Sequence, residues 1–128
     1  MKRNIVDSSG WLEYFANESN ADFFAPAIEN TKILVVPSIS IVEVFKHILR
    51  HSSEQYAFEG IECMLQGTVI DLDIELSLNA AKLGMQHKIP LADSIILATG
   101  IAHEAMIWTQ DADFKGLPQI KYINKKHT

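Results

Sequence analysis

Three short, unbroken apolar runs constrain this chain more than any other feature: Ile5-Val6, Ile33-Leu34-Val35-Val36 and Met106-Ile107-Trp108. They are rich in β-branched residues and bounded by polar ones, the pattern of buried strands. Thr68-Val69-Ile70-Asp71-Leu72 reads as a fourth strand and Lys121-Tyr122-Ile123 as a fifth at the edge. Between them, apolar residues recur at helical spacing around 9–17, 20–30, 39–50, 53–66, 75–87 and 91–104. Strands alternating with helices predict an α/β fold, a central, mostly parallel sheet of four or five strands flanked by helices. The 128 residues hold no internal repeat and no linker, so one domain is expected over 1–128, with its core at about 4–123 and a basic tail at 124–128.

Composition removes several classes of function. A hydrophobic share of 48%, with 6 Gly and 4 Pro, excludes a disordered or collagen-like chain. Cys63 is the sole cysteine, which rules out an internal disulfide and any multi-thiolate metal site and suits a reducing cytoplasm. No export signal is expected, because Asp7 interrupts the N-terminal segment before an apolar core can form. The greasiest stretch, 33–45, is broken by Pro37, Ser38, Ser40 and Glu43 and is too short to span a bilayer, so no membrane partner is expected and the cytoplasm is the expected location. A formal charge of −5 means the chain as a whole does not attract nucleic acid; such contact needs a local basic patch.

In open α/β sheets, ligands bind beyond the carboxyl ends of the strands. Asp7 ends the first strand, ahead of Ser8-Ser9-Gly10 and a helix, and Asp111 follows the strand that ends at Thr109. Asp93 sits in the first turn of a helix that is apolar nearly all round, from Leu91 to Ala102. Such a helix is buried, so its carboxylate is either exposed at the N-terminus or held by a partner. Glu43 lies on a helix whose apolar arc is Ile41, Val42, Val44, Phe45, Ile48 and Leu49; it shares the opposite arc with Lys46, His47 and Arg50, which faces either solvent or an anionic ligand.

Singly, each acid has a structural explanation. Asp7 can cap a helix, Asp93 can complement a helix dipole, and Glu43 can pair with Lys46 or His47. Together at one sheet edge they repel: two carboxylates ~4 Å apart cost about 4 kcal/mol at an effective dielectric near 20. Either some stay protonated or hard, oxygen-seeking cations such as Mg²⁺ or Mn²⁺ enter.

These segments resemble the PIN-domain ribonucleases, in particular the VapC-type toxins of bacterial and archaeal toxin–antitoxin pairs. The resemblance lies in Val6-Asp7-Ser8-Ser9-Gly10-Trp11-Leu12-Glu13-Tyr14-Phe15, in Pro37-Ser38-Ile39-Ser40-Ile41-Val42-Glu43-Val44, in Leu91-Ala92-Asp93-Ser94-Ile95-Ile96-Leu97-Ala98, and in Trp108-Thr109-Gln110-Asp111-Ala112-Asp113-Phe114. It implies an endoribonuclease that hydrolyses RNA phosphodiester bonds with a metal-activated water held by four carboxylates. Asp7 and Asp93 would be the main Mg²⁺ or Mn²⁺ ligands, and Glu43 and Asp111 would complete the shell. Ser8 or Ser9 would hydrogen-bond near the ligands, and Thr109 would orient Asp111. Position 111 matches the family's fourth acid better than Asp113, which would point to the opposite side if the chain stays extended. The resemblance also implies a homodimer, and a cognate antitoxin whose helical tail fills a hydrophobic groove and can push a basic side chain into the acidic pocket.

Other features weigh less. Lys46, His47, Arg50 and His51 form the densest basic cluster and offer an RNA backbone Lys46 and Arg50 beside Glu43. His47 and His51 have zinc-pair spacing, but no third ligand is near in sequence, and solvated histidines are expected. The Lys125-Lys126-His127 tail either adds positive potential or frays. Trp11 and Phe15 share one helix face, explained by core packing or by a partner groove. Asp22, Glu29, Asp71 and Asp73 match no catalytic motif and are expected at the surface. The alternative to a nuclease is a non-catalytic PIN-like scaffold for RNA or protein. A phosphoacceptor receiver is disfavoured because Ser8 stands where a second acid would be needed, and no glycine-rich phosphate loop is present.

Overall fold

Strand β1 (Arg3–Val6) lies at the centre of the molecule, and everything else is arranged about it. The computed structural model describes residues 2–126; Met1, His127 and Thr128, and with them the end of the basic tail, lie outside the described residues. After β1 come helices α1 (Ser8–Phe15) and α2 (Ala21–Glu29), strand β2 (Val35–Pro37), helices α3 (Ser38–His51) and α4 (Glu54–Met64), and strand β3 (Thr68–Ile70). The chain continues through α5 (Ile74–His87), α6 (Leu91–Ala102), β4 (Ala105–Thr109), a short 3₁₀ turn at Ala112–Phe114, and β5 (Ile120–Tyr122).

All strand pairs are parallel. β1 pairs with β4, placing Val6 opposite Trp108, and β4 pairs with β5, while β2 pairs with β3. One bridge, Asn4 to Leu34, joins the two groups, so the spatial order is β3-β2-β1-β4-β5. The expected sheet of four or five strands is therefore five strands, hydrogen-bonded as three plus two. β2 ends at Pro37, and α3 departs at once from Ser38.

Alternation along the strands feeds two cores. Val6, Leu34 and Val36 pack with Trp11, Phe24, Val44 and Met64 from α1–α4. Ile5, Val35 and Ile107 face the other side, against Ile96, Leu97 and Phe114. Each fully buried side chain of this kind contributes roughly 1.5–3 kcal/mol relative to exposure. Trp11 is wholly buried, so core packing accounts for it. Val42 and Leu49, placed on the apolar arc of α3 by the helical wheel, are instead 58% and 44% exposed. Ile41, Val44 and Ile48 form the stripe that packs on the core, and Val42 and Leu49 lie on its margins. No helix among the described residues is long and apolar enough to cross a membrane.

Candidate active site

In this strand order the chain moves outward from β1 in one direction and returns to lay β4 and β5 on its other side, so the switch point lies between β1 and β4. Asp7 follows β1 at that point, its backbone N–H donating to the Trp108 carbonyl at 3.1 Å. Asp7 is 2% exposed and caps α1, accepting from the Gly10 N–H at 2.9 Å. The Ser9 hydroxyl donates to both its oxygens, at 3.0 and 2.9 Å, and the Thr109 hydroxyl donates to Oδ2 at 2.8 Å. Burial pushes the Asp7 carboxyl up to about 6 against the pull of these donors, with Asp111 adding repulsion.

Thr109 ties two acids together. Its Oγ1 donates to Asp7 and accepts the Asp111 N–H at 2.9 Å, so it fixes Asp111 through the backbone. The two serines divide the other acids: Ser9 holds Asp7, while Ser8 donates to Glu43 Oε1 at 2.6 Å. That bond turns Glu43 toward the start of α1, which answers the question the helical wheel left open.

Asp93 stands in the first turn of α6, half-buried. Its carboxyl is pushed up to about 7, first by burial and then by Asp111, Asp7, Asp113 and Glu43. Every charge raising it is a carboxylate. Asp93, Asp111 and Asp113 offer oxygens that all lie within 4.8 Å of one another. Three carboxylates this close form an all-oxygen donor set of the kind that hard cations such as Mg²⁺ take.

Asp113 departs from the sequence-based expectation. The chain does not stay extended past Asp111; it turns into the 3₁₀ helix, capped by Asp111 accepting the Asp113 N–H at 2.9 Å. The turn carries Asp113 round to the same cluster, while Phe114 is buried in the core.

Lys46 and Arg50 are exposed on α3 and, with Glu43, His47 and His51, line a shallow cleft of about 290 Å³. The His47 and His51 rings lie 4.4 Å apart, yet among the described residues the sole group of three metal-ligating side chains is the aspartate cluster. Burial pulls the His47 imidazole below its ordinary range, helped by His51 and Arg50. The acids outside the motifs, Asp22, Glu29, Asp71 and Asp73, are exposed as expected, and Asp73 caps α5 by accepting from the Leu76 N–H.

A buried amide network behind the site was not anticipated. Asn20 Nδ2 donates to Gln110 Oε1 at 2.9 Å and to the Asn124 carbonyl at 3.0 Å, and Gln110 Nε2 donates to Glu13 Oε1 at 3.1 Å. Asn20 and Gln110 are 1% and 4% exposed. For Gln110 the signal was its place between Thr109 and Asp111; Asn20 carried none.

The PIN domain family model matches residues 5–119. Among solved structures, the chain is similar to one in a toxin–antitoxin complex from Klebsiella pneumoniae, with 22% identity, 92% of this chain and 95% of that chain covered, and a TM-score of 0.76. It is similar to a chain of VapBC2 from Rickettsia felis bound to a DNA fragment from its promoter, at 16% identity, with 94% and 97% covered and a TM-score of 0.72. Mycobacterium tuberculosis VapC20, a sarcin-ricin loop cleaving toxin, is similar at 15% identity, with 89% and 94% covered and a TM-score of 0.74. At these identities the likeness is one of fold. No curated protein matches the chain.

Proposed function

The chain belongs to the PIN domain family, and from that premise we propose that it is a metal-dependent endoribonuclease, the toxin of a toxin–antitoxin pair. One observation carries the reading: Asp93, half-buried, is surrounded by Asp7, Glu43, Asp111 and Asp113, and its carboxyl is raised to about 7 by burial and by their charge. A fold that gathers five acids at its ligand-binding edge is under a repulsive strain that a divalent cation relieves.

In this reading Asp7, Asp93, Asp111 and Glu43 hold Mg²⁺ or Mn²⁺, and the position of Asp113 in the cluster gives it a share in that role. The bound cation supplies a water of lowered pKa and stabilises charge that develops on the phosphate oxygens. Ser9, Thr109 and the Gly10 N–H hold Asp7 in one orientation, and Ser8 holds Glu43. Lys46 and Arg50, exposed beside Glu43, guide the RNA backbone toward the acids. No side-chain nucleophile is required.

Two partners follow from the reading. The solved relatives include toxin–antitoxin complexes, and this chain carries a groove suited to an amphipathic helix, about 480 Å³ between α1, α3 and α4, lined by Leu12, Phe15, Ile48, Tyr56 and Gly60. A second copy of the chain is the other partner, for which α5 offers exposed Ile74, Leu78 and Met85. A lone Cys63 suits a reducing compartment, and with RNA as substrate it supports the cytoplasm as the site of action.

The test is incubation of purified protein with mixed cellular RNA in Mg²⁺, in Mn²⁺ and in EDTA, beside an Asp7→Asn variant. Discrete fragments that vanish in EDTA, and fall at least a hundredfold with Asp7→Asn, are expected. Failure of folded, antitoxin-free protein to cut any RNA class would leave the non-catalytic scaffold.

A further inference from the structure

A second cleft, about 540 Å³, opens beside Asp111. It shares Ser9 and Asp111 with the acid site but takes no residue from α3, so it is separate from the shallow cleft along that helix. Gln110 and Ala112 flank Asp111 in its lining, and the rest of the wall comes from the C-terminal segment: Tyr122 on β5, then Asn124 and Lys125. Its volume falls in the range of roughly 300–1,000 Å³ typical of small-ligand sites.

This wall is anchored. The Ile123 N–H donates to the Thr109 carbonyl at 3.0 Å, and Asn20 Nδ2 donates to the Asn124 carbonyl at 3.0 Å. The same Asn20 amide grips Gln110, which lies between Thr109 and Asp111. The buried amide network therefore ties the C-terminal segment to the acid-bearing segment. The backbone is thus held beside Asp111 as far as Asn124, and Lys125 is the next residue along. Of the neighbouring lysines, Lys121 is engaged over the Trp108 ring, 4.0 Å from its centroid, and Lys115 lies over one face of the Tyr122 ring, 5.6 Å from its centroid. Lys125 is the lysine that lines the cleft.

An aromatic ring, an ammonium group and a metal-binding carboxylate along one cleft match the three parts of a nucleotide on a single strand: base face, phosphate and the bond to be cut. We infer that this cleft receives the RNA nucleotide next to the scissile phosphate, its base stacked on Tyr122 and its phosphate paired with Lys125. The inference rests on the ribonuclease reading and names where its substrate lies. It gives the chain a binding step independent of the α3 stripe, so the RNA strand crosses the acids with a basic contact on either side.

The experiment measures fluorescence anisotropy of a mixed-sequence single-stranded RNA dodecamer titrated with the full chain. An Asp7→Asn background and Mg²⁺ are used so that binding is read without cutting. Tyr122→Ala is expected to weaken binding about tenfold, and Tyr122→Phe to restore it, because stacking needs the ring and not the hydroxyl. Lys125→Gln is expected to lower the slope of log affinity against log salt by about 0.7, whereas Lys32→Gln, on the turn before β2 and so at the amino end of that strand rather than the carboxyl end, leaves it in place. Thermal melts of each variant check folding, and Lys125, being exposed, is a substitution the fold tolerates. Binding by Tyr122→Ala and Lys125→Gln equal to the parent overturns the subsite. So does Tyr122→Phe binding as poorly as Tyr122→Ala. The two readings fail separately. RNA cutting by the unsubstituted chain with no dependence on Tyr122 or Lys125 removes the subsite alone, and Tyr122-dependent binding by a chain that never cuts removes the nuclease alone.

Discussion

Asp93 and Asp7 hold more protons in the folded chain than in the unfolded one, and that difference has a fixed sign. Their carboxyls lie at about 7 and about 6 in the fold, against 3.8 without it. Below pH 3.8 both states are protonated and nothing is lost. As pH rises from there toward 7 the unfolded chain ionises first, so metal-free stability falls across that window and levels off above it. For Asp7, which is almost wholly buried, the distance from 3.8 to about 6 corresponds to about 3 kcal/mol. A divalent cation needs these groups ionised, so its stabilisation has the opposite pH dependence. The expectation is that Asp93→Asn melts higher than the unsubstituted chain at pH 8 in EDTA, with the gap closing by pH 4. Mn²⁺ should raise the melting temperature of the unsubstituted chain more at pH 8 than at pH 5. A gap between the two proteins that stays constant with pH would count against the charge strain on which the proposed metal site rests.

Helix α1 is the element on which the site depends most, and its register is set by one small residue. A Cβ at Gly10 would stand 2.6 Å from Phe24 Cε1 and 2.7 Å from Val6 Cγ1, both in the core between α1, α2 and β1. Gly10 also supplies the N–H that Asp7 accepts. Gly10→Ala should push α1 away from the sheet, lowering stability by about 1–3 kcal/mol and costing RNA cutting beyond what the stability loss explains. Urea melts and a cleavage assay run well below the melting point separate the two effects; unchanged stability would mean that Phe24 can move aside. The same helix bears on what the sequence could reveal. Strand and helix identities, and the placement of Asp7, Asp93 and Asp111 at strand or helix ends, follow from local periodicity, and the structure has all of them. The direction of Glu43 did not, because a wheel gives angles about one axis and the Ser8 bond comes from another helix. Nor did the swing of Asp113, which depends on a 3₁₀ turn that a two-residue spacing cannot distinguish from extended chain. The Asn20–Gln110 network joins residues 90 positions apart, a separation at which periodicity carries no information.

At the scale of the molecule, the acids come from the residue between β1 and α1, from α3 and α6, and from the segment after β4, all within one chain. The proposed chemistry therefore does not need a second subunit to complete its ligand set, although the family resemblance implies a homodimer. The outer face of α5 is where a second copy has most to gain. Ile74, Leu78 and Met85 repeat at four and seven residues along the helix and are 80%, 61% and 84% exposed, and Leu91, at the start of α6, is 75% exposed. An apolar stripe of this kind, paired about a two-fold axis, meets its own equivalent and buries like against like. Leu78→Lys with Met85→Lys should give a monomer by light scattering at concentrations where the unsubstituted chain is dimeric. Its folding should be unimpaired, since neither side chain is in the core. Cutting per chain should persist in that monomer on short RNA, because every acid it uses is its own. A doubly substituted protein that remains dimeric would move the subunit contact off α5. A monomer that folds but no longer cuts would mean that the second copy contributes to the site after all.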